Sequence, residues 1–236
     1  QISGAVGLLS SANTLAQTYG WGQGAGGGFL DKGDLQVLQQ VGAVLSIANL
    51  RNLGTERTLL LINRGLRDAL RIADQSRPRL FDRHIVLPEL LYERVAEIPG
   101  RMRAHGEEDE PLDEAAIQQA LQSALADGIQ ACAIVFMHAD RHPAHEQRAA
   151  ALARASGMRQ VSVSHEVSPL MKLIPRGDTT VVDAYLSPVL RRYVDRVAAM
   201  MPGVPLHFMQ SSGGLTRADR FQGKDAILSG PAGGIV

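Results

Sequence analysis

The stretch that decides the fold is Arg57-Thr-Leu-Leu-Leu-Ile-Asn63, followed after Arg64 by Gly65-Leu-Arg-Asp-Ala-Leu-Arg-Ile72. A short, continuously apolar run between polar residues is typical of a strand that is buried on both faces, as the strands of parallel sheets are. The second stretch has the pattern of a helix start. A strand that leads directly into a helix is the repeating unit of α/β proteins.

The same alternation continues along the chain. The sequence predicts one or two strands within 86–98 with a turn at Pro99-Gly100, a helix over 113–126 with Asp113 as its cap, a strand over 131–137, a helix over 143–155, a strand over 160–164, a helix over 178–201 and a fourth strand of the sheet over 205–209. This order predicts an α/β fold with a largely parallel sheet and flanking helices.

Composition excludes several classes of partner. The 236 residues carry 24 basic and 24 acidic side chains, so no charge excess favours nucleic acid or an anionic membrane. No apolar run approaches the roughly 20 residues that a membrane-spanning helix needs. The single cysteine, Cys132, lies in the apolar run 131–136, which favours a buried, inert thiol over a nucleophile. A lone cysteine also fits a reducing compartment, and we therefore expect a cytoplasmic protein.

The first 50 residues follow no recognisable scheme. Seven glycines fall within residues 19–33, and no Gly-Lys-Ser/Thr follows them, so a mobile connection is favoured over a phosphate loop. The sequence begins at Gln1 and ends inside the glycine-rich run 230–236. From these two ends we expect the chain to be a fragment of a longer protein.

Four stretches further on share their order and spacing with one known family. They are Gly65-Leu-Arg-Asp68 with Arg77-Pro78-Arg-Leu-Phe-Asp82; His138 with Pro143-Ala-His145-Glu146; Glu166-Val-Ser-Pro169 with Arg176, Thr179-Thr180 and Ala184-Tyr185-Leu-Ser-Pro188; and Met209-Gln-Ser-Ser-Gly-Gly214 with Ser229-Gly-Pro-Ala-Gly-Gly234. On these motifs the chain resembles the hydantoinase A/5-oxoprolinase family, which also contains subunits of ATP-dependent ketone carboxylases. The resemblance divides the chain into an uncertain region over 1–50, an α/β part of the family's N-terminal region over 51–178, and the start of the hydantoinase A/oxoprolinase domain over 179–236.

The resemblance implies a fold and a chemistry. The fold is part of the actin/sugar-kinase/Hsp70 (ribonuclease H-like) ATPase fold, in which ATP binds between two domains. The implied reaction is the ATP-dependent opening of a cyclic amide, such as a hydantoin or 5-oxoproline, through phosphorylation of its carbonyl oxygen, with ATP and magnesium as cofactors. The implied partners are a small-molecule substrate and a second subunit or domain of the hydantoinase B type.

Two alternatives stay open: a subunit of an ATP-dependent ketone carboxylase, and a non-catalytic scaffold subunit. The family's phosphate loops, which resemble Asp-x-Gly-Gly-Thr, do not occur in the 236 residues. Because such loops bring backbone N–H groups and the magnesium ligand to the phosphates, we expect the chain to be inactive alone.

The resemblance also implies where a substrate or nucleotide binds. The candidate binding residues are Ser211, Ser212, Gly213, Gly214, Ser229, Gly230, Gly233, Gly234, Arg176 and Thr179. The first Ser/Gly motif follows an apolar strand and can approach a ligand closely, or it is only a tight turn that needs glycine. The second opens a helix towards an anion, or it packs a helix closely against a strand. We expect both motifs to face one cleft.

Other polar residues divide between binding and structure. Arg176 with Thr179 suits a carboxylate or phosphate, while helix capping by Asp178 or Thr179 explains the same residues equally well. His138, His142, His145 and Glu146 raise a metal hypothesis, which Pro143 disfavours because it interrupts their helical spacing. Arg67 and Asp68 are predicted to form a structural ion pair in preference to a catalytic pair. No catalytic residue and no metal ligand is assigned.

Overall fold

The computed structural model describes residues 57–73, 81, 83–84, 87, 90–227 and 229. Its elements, in chain order, are β1 Thr58–Asn63, α1 Ala69–Ile72, β2 Arg94–Ile98, β3 Arg101–Met102, β4 Glu108–Glu110, α2 Glu114–Ala126, β5 Ala131–Val135, α3 Ala144–Ala155, β6 Gln160–Val163, α4 Ser164–Val167, α5 Leu173–Met200, β7 His207–Met209, β8 Leu215–Arg217, a 3-10 turn over Ala218–Arg220, and α6 Gly223–Ala226. All of them belong to one compact unit.

Four parallel strands form the central sheet in the order β2-β1-β5-β6. Every residue of β1 and of β5 is buried, because these two strands are central and helices cover both of their faces. Cys132 in β5 is buried, as predicted, and burial raises the pKa of its thiol. The predicted α/β class with a parallel sheet and flanking helices is likewise confirmed.

Alternate side chains of the central strands enter two separate cores. Leu59 and Leu61 pack with α2 and α3 on one face of the sheet. Leu60 and Ile62 pack on the other face, together with Leu70 of α1 and the first half of α5. The period of two along β1 therefore sends its side chains alternately into two helical layers.

The helices begin and end for identifiable reasons. The Asp113 carboxylate accepts a 2.9 Å hydrogen bond from Ala116 N and caps α2, as the sequence predicts. The predicted start of α5 at residue 178 is wrong, because this helix begins at Leu173 and continues for 28 residues. Its buried side chains fall before Pro188, apart from Val194.

Among the described residues, no helix is both long and apolar enough to cross a membrane.

The prediction that residues 205–209 add a fourth strand to the parallel sheet is wrong. The strand exists as β7, but it pairs with β8 in a separate antiparallel hairpin. The fourth strand of the central sheet is β2. Gly213 lies between β7 and β8 with φ of 83°, a left-handed conformation that glycine adopts without a steric penalty. The local sequence therefore favours a tight turn that pairs β8 with β7.

Candidate functional site

The sheet topology identifies one crevice as the candidate site. From β1 the chain passes to β2 on one side, whereas from β5 it passes to β6 on the other, so the strand order reverses between β1 and β5. The helices that follow these two strands, α1 and α3, also pack on opposite faces of the sheet. In α/β folds ligands bind at the carboxyl ends of the strands beside such a reversal. The crevice is therefore bounded by residues 63–65 after β1 and 136–138 after β5.

Asn63 holds the two sides of this crevice together. Its side-chain oxygen accepts a 2.6 Å hydrogen bond from Met137 N, and its amide nitrogen donates a 2.6 Å bond to Gly100 O. Asn63 is only 1% exposed, so both bonds are shielded from water. One amide side chain thus fixes the exits of β1, β2 and β5 relative to each other.

His138 follows this junction in an unfavourable backbone conformation. Its φ of 59° lies in the left-handed region, which a residue other than glycine seldom adopts. Its carbonyl oxygen accepts hydrogen bonds from Arg141 N at 3.1 Å and His142 N at 2.9 Å, which hold the turn closed. This turn follows β5 directly, beside the crevice, and His138 is half-buried in it.

Glu146 joins the residues that follow the carboxyl ends of β5 and β6. This fully buried carboxylate accepts hydrogen bonds from Phe136 N at 2.7 Å, from the Ser164 hydroxyl at 2.6 Å and from His165 N at 3.0 Å. The Nδ1 atom of His165 lies 2.7 Å from its second oxygen. Glu146 therefore ties α3 to the ends of β5 and β6. The predicted start of a helix at Pro143, with Glu146 in its first turn, is confirmed.

The other two histidines of the same motif have separate partners. His145 Nε2 lies 2.6 Å from a Glu108 carboxylate oxygen, and His142 Nε2 lies 3.2 Å from Ala104 O. Within the described ranges, no group of three or more His, Cys, Asp or Glu side chains is placed to hold a metal ion. The histidines serve different contacts on the loop and hairpin beside the sheet.

Arg176 is fully buried. Its guanidinium is 0% exposed and donates to the Asp140 carboxylate at 2.9 Å, to Leu170 O at 3.0 Å and to Phe136 O at 2.5 Å. Its Nε atom is buried without a partner among the described residues. The arginine thus anchors α5 to the loop after β5, and a ligand-binding role for it stays a prediction.

Thr179 lies one turn further along α5. Its hydroxyl donates a 2.8 Å hydrogen bond to Pro175 O inside the helix. The alternative in which Asp178 or Thr179 caps this helix is wrong, because α5 begins at Leu173. Binding of a ligand by Thr179 stays a prediction.

The Ser211–Gly214 motif forms the turn of the β7–β8 hairpin. Ser211 N and the Ser211 hydroxyl both donate to Asp225 O at 2.7 Å, and Gly213 N donates to Gln210 O at 3.0 Å. Ser212 and Gly214 are exposed. The tight-turn alternative explains the geometry, and the turn is fastened to α6 through Asp225.

The second Ser/Gly motif lies largely outside the described residues. Ser229 is described, and its hydroxyl donates a 2.9 Å hydrogen bond to Ala226 O. Gly230, Gly233 and Gly234 lie outside the described residues, and so does the expectation that both motifs face one cleft.

Sequence reasoning missed Asn63, Ser164 and His165. Asn63 carried a usable signal, because it is a polar residue at the end of an apolar strand. Ser164 carried a weaker signal, because it was predicted as the last residue of a strand and instead begins α4. Ser164 and His165 both act through Glu146, which is distant in sequence, so only the fold brings these three residues together.

Two family models match this chain. The hydantoinase/oxoprolinase N-terminal region matches residues 36–157, and the hydantoinase/oxoprolinase model matches residues 176–236. The first match therefore begins within the region that the motifs left unassigned.

Curated relatives agree with these matches. 5-oxoprolinase 1 of Arabidopsis thaliana is 36% identical over 204 residues, which are 77% of this chain and 16% of that protein. The caprolactamase subunit alpha of Pseudomonas jessenii is 41% identical over 157 residues, which are 63% of this chain and 22% of that protein. The chain thus spans less than a quarter of the length of either relative.

Solved structures show the same relationship. The crystal structure of the ATP-dependent caprolactamase from Pseudomonas jessenii matches with a TM-score of 0.70 and 35% identity, over 79% of this chain and 28% of that one. The nucleotide-free acetone carboxylase matches with a TM-score of 0.62 and 20% identity, over 79% of this chain and 29% of that one, which shows a shared fold alone. The fold is thus part of the actin-like ATPase type, as the resemblance implies. The motifs, the family matches and the sheet topology agree, and the chain belongs to the hydantoinase/oxoprolinase family.

Proposed function

We propose that this chain is part of an ATP-dependent hydrolase that opens a cyclic amide of the hydantoin or 5-oxoproline type. The observation that carries the proposal is the match to an ATP-dependent caprolactamase at 35% identity and a TM-score of 0.70 over 79% of the chain. A curated 5-oxoprolinase at 36% identity supports the same class of cyclic amide.

The chemistry suits such a substrate. An amide carbonyl is a poor electrophile, and a phosphorylated carbonyl oxygen is a much better leaving group. Bound ATP and magnesium would supply that phosphoryl group and the neutralising charge. This chain would contribute the crevice between β1 and β5, where Asn63 and Glu146 fix the strand ends through the backbone of Met137 and Phe136, directly before His138.

The described residues do not by themselves fit the phosphates of a nucleotide. In the Ser211–Gly214 turn, the Ser211 and Gly213 amides already donate to carbonyl oxygens of the chain. The Arg176 guanidinium is committed to Asp140 and to two carbonyl oxygens. We therefore derive no phosphoryl-transfer step from these residues, and the phosphate contacts of the complete enzyme are expected elsewhere.

A second subunit or domain of the hydantoinase B type is the proposed partner. Its support is the relative named caprolactamase subunit alpha, a name that implies at least one further subunit in that enzyme. The proposed location is the cytoplasm, and its support is the single buried thiol of Cys132.

The test uses the complete gene product that carries this chain, purified with and without its hydantoinase B-type partner. We expect ADP release with magnesium that depends on 5-oxoproline, hydantoin or caprolactam and matches the amount of ring-opened product. Acetone with bicarbonate is the comparison substrate for the ketone-carboxylase alternative. ADP release with that pair alone would replace the proposal with a carboxylase, and no turnover with any substrate would favour the scaffold.

A further inference from the structure

A groove of about 270 Å3 lies beside α1 and the amino end of β2, on the face of the sheet that α5 covers. It is separate from the crevice at the carboxyl ends of the strands. The residues that matter for its chemistry are Arg67, Asp68, Arg71, Leu90, Tyr92 and Val95. They combine two cations, one anion, one phenol and two aliphatic side chains.

The two arginines are available to a ligand. Arg67, just before α1, and Arg71, within α1, are exposed and have no ion-pair partner among the residues that the structure describes. The predicted ion pair between Arg67 and Asp68 is absent from this part of the chain, so Asp68 also keeps its carboxylate open. The groove therefore offers two unsatisfied positive charges beside one unsatisfied negative charge.

The remaining charged side chains of the groove are occupied. Arg94 pairs with Asp127, and Glu93 pairs with Arg57, both through short ion pairs. The hydrogen bond from Arg57 lowers the pKa of Glu93, so this carboxylate stays ionised and engaged. Among the residues that line the groove, the unpaired charged side chains are therefore Arg67, Arg71 and Asp68, and their sum is positive.

Tyr92 adds a buried polar group. It is 8% exposed, and its hydroxyl has no hydrogen-bond partner among the described residues. Burial raises its pKa, the carboxylates of Asp178 and Asp68 raise it further, and Arg71 opposes them. Tyr92 lines the groove together with Asp68 and Arg71, and its raised pKa keeps the hydroxyl a proton donor at neutral pH.

We propose that this groove binds a small aliphatic carboxylate that also carries an N–H donor. The guanidinium groups of Arg67 and Arg71 and the Tyr92 hydroxyl bind the carboxylate, since charged donors give its strongest hydrogen bonds. Asp68 accepts the N–H group, and Leu90 and Val95 contact the aliphatic part. An amino acid released by ring opening belongs to this class; that link depends on the proposed function, whereas the binding depends only on the groove.

The test is an NMR titration of the full 236-residue chain, labelled with nitrogen-15, without ATP. The probes are 6-aminohexanoate, hexanoate, which lacks the N–H donor, and hexylamine, which lacks the carboxylate. We expect saturable binding of 6-aminohexanoate, weaker binding of hexanoate and the weakest of hexylamine, with amide shifts centred on the groove.

The variants distinguish binding in the groove from general electrostatic attraction to the chain. Arg71→Gln should raise the Kd for 6-aminohexanoate about tenfold, and Tyr92→Phe about fivefold, from the loss of one charged and one neutral hydrogen bond. Arg159→Gln removes the same charge from an exposed position before β6 and should leave the Kd within about twofold. Arg71 is exposed and Phe keeps the buried ring of Tyr92, so both variants are expected to fold.

The inference is overturned if 6-aminohexanoate shows no saturable shifts, or if Arg159→Gln weakens binding as much as Arg71→Gln. Turnover assays of the complete gene product test the proposed function separately. Binding without lactam turnover would reject the function and keep the groove, and turnover without binding would do the reverse.

Discussion

Glu146 has an unusual position for a carboxylate, because it is fully buried and yet surrounded by donors. It accepts from two backbone N–H groups, those of Phe136 and His165, and from the Ser164 hydroxyl. A buried carboxylate is tolerated when its lone pairs are satisfied in this way. The residue therefore supports the crevice by holding the ends of β5 and β6, rather than by contacting a ligand.

Glu146→Gln should lower the free energy of unfolding by about 2–4 kcal/mol. The new amide group would direct N–H donors at groups that already donate, and a buried donor would lose its partner. Urea unfolding followed by circular dichroism measures the change. Glu114→Gln, which removes an exposed pair with Arg148, is the control and should change stability by less than about 1 kcal/mol. Equal effects of the two substitutions would contradict the role of Glu146.

Cys132 should react slowly with a disulfide reagent in the folded chain. The thiol is buried in β5, and burial raises its pKa, so little thiolate forms at pH 8. Absorbance on addition of dithiobisnitrobenzoate should show a slow reaction in buffer and a rapid release of one equivalent in guanidinium chloride. A rapid, full release from the folded chain would show that β5 is accessible.

At the scale of elements, α6 is attached to α5 by close backbone contact. Gly223 N donates to the Ser187 hydroxyl at 2.9 Å, and Lys224 N donates to the Asp183 carboxylate at 3.2 Å. The Lys224 ammonium also donates to Val167 O. The approach requires glycine, since a Cβ at position 223 would lie 2.7 Å from Ser187 N.

Gly223→Ala should therefore lower the free energy of unfolding by about 1–3 kcal/mol, because backbone atoms must move to admit one methyl group. Thermal unfolding followed by circular dichroism is the measurement. Gly214→Ala is the matched control, since its added Cβ would meet its nearest atoms at 3.6 Å and 3.7 Å. Its stability should stay within about 1 kcal/mol of the parent chain. If both substitutions have the same effect, α6 is not closely docked.

The elements differ in how far their sequence determines them. Apolar runs such as Leu59–Ile62 and the cap Asp113 act locally, so β1 and α2 were predictable from neighbouring residues alone. The pairing of β7 was not, because a three-residue strand fits a parallel sheet or a hairpin equally well until its partner is known. The early start of α5 was hidden by Pro175 and Gly177, which usually disfavour a helix interior but lie in its first turns.

At the scale of the whole molecule, the sequence indicated a binding site only through family motifs. The motifs predicted the family and the fold class correctly. They also placed Arg176 among the binding residues, which stays a prediction; its guanidinium donates to Asp140 and to two carbonyl oxygens. Asn63 and Glu146 instead act across long sequence separations, and no local pattern reports contacts of that kind.

The 236-residue chain alone should not turn over ATP, because its sequence contains no Asp-x-Gly-Gly-Thr-like phosphate loop. A coupled assay for ADP with magnesium should give a rate equal to the buffer blank. The complete gene product under the same conditions, with a lactam present, is the positive control. Magnesium-dependent ADP release by the chain well above the blank would show that these residues contain a nucleotide site of another kind.

The long helix α5 has a consequence for how the molecule opens. Its first half is buried in the fold, whereas after Pro188 only Val194 is buried. Pro188 has no N–H group and so cannot bond the carbonyl of Ala184, which weakens the helix where the two halves meet. Backbone amides before residue 188 should thus exchange with deuterium only when the core opens, whereas those after it exchange through local fraying. One continuous helix would then report two separate opening events, with the boundary at Pro188.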